Sequence, residues 1–186
     1  MNSLARLSHR ADIQDVMYRY ARGVDRRDWA AVRACFHDGA TDHHGDFHGP
    51  IDDFVAWVGA MHEQVPFSAH ILGNMLIEFA SDGSAAVETY FNAALRLDAI
   101  SVEHRKMLVG EQTTATEIDM DVIGRYLDHF LLREDRWRIA KRQVAFDAVR
   151  VRPAMNGTLK PEWVVGRRGS SDPVYAWRTM IGVPGQ

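Results

Sequence analysis

Residues 68–98 read SAHILGNMLIEFASDGSAAVETYFNAALRLD. Ala69, Ile71, Met75, Ile77 and Phe79 recur near a period of two, the pattern of a strand with one buried face. Ser81-Asp82-Gly83-Ser84 supplies turn residues, and residues 85–98 return as the antiparallel partner. Downstream, residues 120–133 alternate with Met120, Val122, Tyr126, Phe130 and Leu132 on one face. Glu134-Asp135-Arg136 turns the chain, and residues 137–151 form the last long strand. Residues 99–117 separate the two hairpins without a clean period.

Upstream the period is helical. Ile13, Val16, Met17, Tyr20 and Val24 are spaced by three and four, with Asp12, Asp15, Arg19 and Arg22 between them. Gly23 falls near the end of that pattern and Asp25-Arg26-Arg27-Asp28 makes a polar corner. Asp28 can cap a second short helix with Trp29, Val32 and Phe36 on its stripe. Asp38-Gly39 reads as a turn, residues 40–47 as a short polar strand, and Pro50 as the start of a third helix that ends before Pro66. Helices followed by strands make an α+β fold. A strongly twisted, curved antiparallel sheet wrapped around three N-terminal helices encloses a cone. Residues 1–151 form that domain. Residues 152–186, rich in Pro and Gly, are a C-terminal extension acting as surface arm, lid or oligomer contact, with a short helix near 174–180.

Composition narrows the function classes. The 186 residues are 46% hydrophobic and 25% charged, which is globular usage and excludes a disordered chain. The net charge of −3 argues against a nucleic-acid binder. A lone cysteine, Cys35, forms no internal disulfide and points to a reducing, cytoplasmic compartment. No apolar run is long enough for a membrane span, and the N-terminus lacks the apolar core of a signal peptide.

Four features bear on chemistry. Asp25 lies at the end of the first helix, five residues after the inward-facing Tyr20, and either caps a helix or enters a site. His70 sits early in the first long strand, on the face opposite Ala69, Ile71 and Met75, and is either structural or a general base held by a carboxylate. Arg142 shares a face with Ala140, Val144, Phe146 and Ala148, so it needs either a structural partner such as Asp128 or a ligand anion. Asp42-His43-His44-Gly45-Asp46-Phe47-His48 has ligand-type residues, but neighbouring strand residues face opposite ways, so an exposed polar edge strand with no metal is the expectation. No nucleotide-binding glycine motif, HExxH or GxSxG occurs, and Cys35 reads as packed.

The segments RADIQDVMYRYARGVDRRDWAAVRACFHDGA, FHGPIDDFVAWV and SAHILGNMLIEFASDGSAAVETYF resemble SnoaL-like proteins of the nuclear transport factor 2-like superfamily over residues 5–150. The likeness is to its lyase branch, which includes scytalone dehydratase, hexachlorocyclohexane dehydrochlorinase and bile acid 7α-dehydratase. It implies an α+β barrel with a cone-shaped pocket, an Asp–His dyad, no cofactor, and a homo-oligomer, commonly a trimer. The dyad positions match Asp25 in RGVDRRDW and His70 in SAHILGNMLIEF. A dehydratase-type tyrosine matches Tyr20, and a dehydrochlorinase-type arginine matches Arg142 in WRIAKR. Tyr90 and Asn92 are further candidates for the pocket wall. The resemblance thus implies a dehydratase, dehydrohalogenase or isomerase acting on a hydrophobic cyclic small molecule. A non-catalytic ligand-binding module, the small subunit of a ring-hydroxylating dioxygenase and a polyketide cyclase are the alternatives.

Overall fold

A computed structural model describes residues 3–81, 83–98, 116–155, 157 and 159–183, so the stretch 99–115 between the hairpins lies outside the described residues. Helix α1 (Ser3–Arg26) buries Ile13, Met17, Tyr20 and Val24, the stripe set by their spacing. It ends in a Schellman turn. The Asp28 N–H donates to the Gly23 carbonyl (2.8 Å) and the Arg27 N–H to the Val24 carbonyl (3.2 Å), with Arg27 in the left-handed region at φ 54°. Asp28 then caps α2 (Trp29–Ala34), accepting from the Ala31 N–H at 3.0 Å. One residue therefore closes one helix and opens the next. The two helices come close because position 23 has no Cβ: one built there would lie 2.9 Å from the Val32 side chain.

Strand β1 (Phe36–His44) starts sooner than the helical spacing suggests. Cys35 caps α2, and Phe36 is a fully buried strand residue rather than the last of the helical stripe. Asp38-Gly39 is no inter-element turn but lies inside β1, where the register against the neighbouring strand breaks between Phe36 and Thr41. Then come β2 (Phe47–Pro50), α3 (Ile51–Met61) and a 3₁₀ turn, His62–Gln64. The long strands are β3 (Phe67–Ser81), β4 (Ser84–Leu97), β5 (Ile118–Arg133) and β6 (Arg136–Pro153), and α4 (Pro173–Met180) follows in the extension.

The six strands form one sheet in the order β2-β1-β6-β5-β4-β3. It is mixed rather than purely antiparallel: β1 lies parallel to β6, while the other neighbours pair antiparallel. The sheet curves around the helices without closing, and β2 and β3 remain its two edges. The architecture is α+β. Bulges between Leu72 and Met75, Ile123 and Gly124, and His129 and Phe130 bend the long strands. The concave interior is filled by Tyr20, Phe36, Phe91, Tyr126, Phe130 and Arg142. Among the described residues, no helix is long and apolar enough to cross a membrane.

Candidate active site

The bulge in β3 decides where His70 points. Leu72 pairs with Phe91 and Met75 with Thr89, so three steps on β3 match two on β4. The extra residue shifts the alternation by one. Met75, Ile77 and Phe79 keep the inner face expected from sequence, while Ser68, His70 and Leu72 join them there and Ile71 turns outward, 65% exposed. Placing His70 on the opposite face is thus corrected.

Asp25 comes from the last turn of α1 to meet it. Its Oδ1 lies 2.7 Å from His70 Nδ1 and accepts the Ser68 hydroxyl at 2.7 Å, while Oδ2 accepts the His70 backbone N–H at 2.8 Å. The Asp25 and His70 side chains are only 12% and 11% exposed. Burial pushes the Asp25 carboxyl up, but the bonds and charge of His70 and the Ser68 hydroxyl more than offset it and hold the group below its ordinary value. An ionised carboxylate only accepts, so His70 Nδ1 carries a proton towards it, and in the neutral imidazole Nε2 is then the nitrogen with the lone pair. Asp25 and His70 line a pocket of about 300 Å³ with Tyr18, Ala21, Arg22, Arg26 and Leu72. This is a mixed polar and apolar groove lined by α1 and β3.

Two residues unnoticed in the sequence stand behind the dyad. His62, 7% exposed, packs edge-on to Trp29 at 5.6 Å, and its Nδ1 accepts from Arg168 Nη2 at 2.8 Å. Burial, aided by the positive charges of Arg168, His70 and Arg27, lowers the His62 pKa to about 3. Arg168 itself reaches in from the C-terminal extension.

Tyr20 and Arg142 are brought together, but away from that pocket. Arg142 is fully buried, with Nε and Nη2 on the Asp128 carboxylate at 2.7 and 2.8 Å and Nη2 also 3.2 Å from Met17 Sδ. Its guanidinium lies 4.1 Å from the Tyr20 ring centroid and 4.2 Å from that of Tyr126. Burial pushes the Tyr20 hydroxyl and the Asp128 carboxyl above their ordinary values. Tyr90 and Asn92 do not line this pocket either: Thr89, Phe91 and Ala93 take the inner face of β4 and leave Tyr90 and Asn92 exposed on the outer one. The histidine-rich segment is an exposed edge only in part: Phe47 and His48 belong to the edge strand β2 and His43 and His48 are exposed, but β1 is an interior strand and Asp42 is fully buried in register with Arg142. Cys35 Sγ donates to the Ala31 carbonyl at 3.2 Å, and burial raises its pKa to about 11, which removes it as a nucleophile near neutral pH.

The sequence profile of the SnoaL-like domain matches residues 5–143. The chain belongs to this SnoaL-like family. No curated protein matches its sequence significantly. Solved structures with the same fold include a hexachlorocyclohexane dehydrochlorinase, LinA type 2, at TM-score 0.68 and 18% identity, covering 87% of this chain and 100% of that one. A scytalone-dehydratase-like protein from Novosphingobium aromaticivorans aligns at TM-score 0.65 and 15% identity, covering 91% of this chain and 98% of that one. A Mycobacterium tuberculosis protein of unknown function aligns at TM-score 0.59 and 18% identity, covering 76% and 73%. At these identities the SnoaL-like protein shares a fold with its neighbours. Its chemistry must be argued from its own residues.

Proposed function

We propose that this SnoaL-like protein is a cofactor-independent lyase of the dehydratase or dehydrohalogenase type, acting on a cyclic small molecule. The observation that carries the reading is the 2.7 Å contact between Asp25 and His70 Nδ1, which leaves Nε2 without a hydrogen-bond partner among the described residues. Nε2 takes a proton from a ring carbon beside a carbonyl or a leaving group. The C–H electron pair becomes the new π bond, and the leaving group departs with its own pair as hydroxide or halide. Where hydroxide leaves, the proton on His70 converts it to water. Asp25 holds the imidazole in one tautomer and stabilises the imidazolium that forms. A positioned base of this kind contributes about 10²–10⁴-fold.

Tyr20 and Arg142 have a supporting part in this reading: buried against Met17 and Tyr126, they fix α1 from inside rather than touch substrate. Self-association, as a trimer by family likeness, is part of the proposal. Ile71, Leu76, Tyr90, Phe146 and Val149 are large apolar side chains exposed on the long strands. The test is a screen of cyclic alcohols, halides and enolisable ketones with wild-type protein and His70→Ala. Turnover by the wild type alone supports the reading, and equal turnover by both overturns it.

A further inference from the structure

The last carbonyls of a helix lack intrahelical partners and must be satisfied from outside. In α1 the Schellman turn serves the carbonyls of Gly23 and Val24 through backbone N–H groups. For the carbonyl of Asp25 the donor is a side chain from far along the chain. Arg168 Nε donates to the Asp25 carbonyl at 3.1 Å, and Nη2 donates to the Val24 carbonyl at 2.8 Å. The same guanidinium donates through Nη1 to the Val65 carbonyl and through Nη2 to His62 Nδ1 at 2.8 Å. One planar group thus ties the end of α1, which carries Asp25, to the His62–Gln64 turn and to the residue that leads into β3, which carries Ser68 and His70. A rigid fork suits this role because its donors hold a fixed mutual geometry. The charge suits it too. The Asp25 carboxylate stands at the negative end of the helix dipole, where a cation offsets the repulsion.

The extension around Arg168 is held in place by polar bonds. Asp172, 4% exposed, accepts the Arg167 N–H at 2.8 Å and the Val174 N–H at 3.1 Å, and pairs with Arg26 Nε at 3.1 Å. Gly169, at φ 91°, makes the bend between Arg168 and Asp172. Helix α4 buries no side chain, and Trp177 and Met180 are more than 60% exposed. The extension therefore meets the last turn of α1 through Arg168 and Asp172, with Pro173, Val174 and Tyr175 half-buried.

We infer that Arg168 is a positioning residue for the Asp25–His70 pair and that the C-terminal extension exists in part to deliver it. The inference rests on the dyad reading above. It is tested on the full-length protein with ¹⁵N-labelled histidine, reading the tautomer of the His70 ring from its nitrogen shifts in wild type, Arg168→Ala, Arg168→Lys, Asp172→Asn and Asp25→Ala. The wild type is expected to hold His70 as a single Nδ1–H tautomer. Arg168→Ala is expected to keep its circular dichroism spectrum but give a tautomer mixture, with partial recovery in Arg168→Lys and an intermediate state in Asp172→Asn. A wild-type tautomer in Arg168→Ala overturns the positioning role and leaves the dyad standing. A wild-type tautomer in Asp25→Ala overturns the dyad reading itself. Should Arg168→Ala fail to fold, Arg168→Lys and Asp172→Asn decide by the same criterion: an unchanged His70 tautomer in both overturns the inference, and a mixture in either supports it.

Discussion

Neutral His62, wedged between Trp29 and the Arg168 guanidinium, ties stability to pH. Its folded pKa is about 3, well below the ordinary 6.5. Between those values the unfolded chain binds a proton that the native chain does not, so stability rises with pH across the interval, by up to about 1.4 kcal/mol per pH unit for one group, and is complete above about pH 6.5. His62→Gln is expected to flatten that slope, checked by urea midpoints from pH 4 to 7. Asp25 acts with the same sign at lower pH. Its depressed carboxyl adds stability that is present above about pH 4 and lost as acid protonates it. The Arg142–Asp128 pair behaves differently, because both side chains are fully buried. Arg142→Met strands a buried carboxylate and is expected to cost about 3–5 kcal/mol, while Arg142→Met with Asp128→Leu recovers most of it; denaturant titration of both variants checks this. The Asp128 partner of Arg142 was legible in the sequence, because a guanidinium on an apolar face stood out against a periodic pattern, whereas Asp25 and His70 were paired only through the family resemblance. His62 and Arg168 were not legible at all. Neither breaks a local pattern, and their partnership spans 106 positions of chain.

At the scale of elements, strict alternation is a sound guide only until a bulge intervenes. The sequence revealed β3 to β6 and the three N-terminal helices through their periods, and Asp28 through its capping chemistry. It could not reveal which way His70 faces, because the added residue near Gly73 leaves no mark in the apolar pattern on either side. The same blindness applies to Gly124, opposite which β6 bulges against β5. A Cβ there would collide with the Ala145 carbonyl and sit 2.9 Å from the Phe91 ring. Phe91 stacks on Tyr126 at 4.3 Å, so the ring has little freedom to yield. Gly124→Ala is expected to lower stability by about 1–3 kcal/mol, as overpacking does, with a matching fall in thermal midpoint. An unchanged midpoint would mean that the bulge is softer than its contacts imply.

The whole molecule joins a rigid, filled interior to a reactive pair at its margin. Large aromatic side chains and a buried ion pair occupy the hollow of the sheet, while the dyad opens on a groove between α1 and an edge strand. The fold class was legible early, from helices followed by long hairpins. The openness of the sheet was not, since it depends on how side chains fill space. Ile71, Leu76 and Tyr90, exposed on the outer faces of β3 and β4, predict self-association, and light scattering after size exclusion should find an oligomer, with a monomer at all concentrations arguing against it. The central claim is that His70 removes a proton while Asp25 holds it. Its most direct test is the turnover of the best cyclic substrate from the screen by His70→Ala, with folding verified in the same sample. The account predicts a fall of about 10²–10⁴-fold; turnover at the wild-type rate would contradict it.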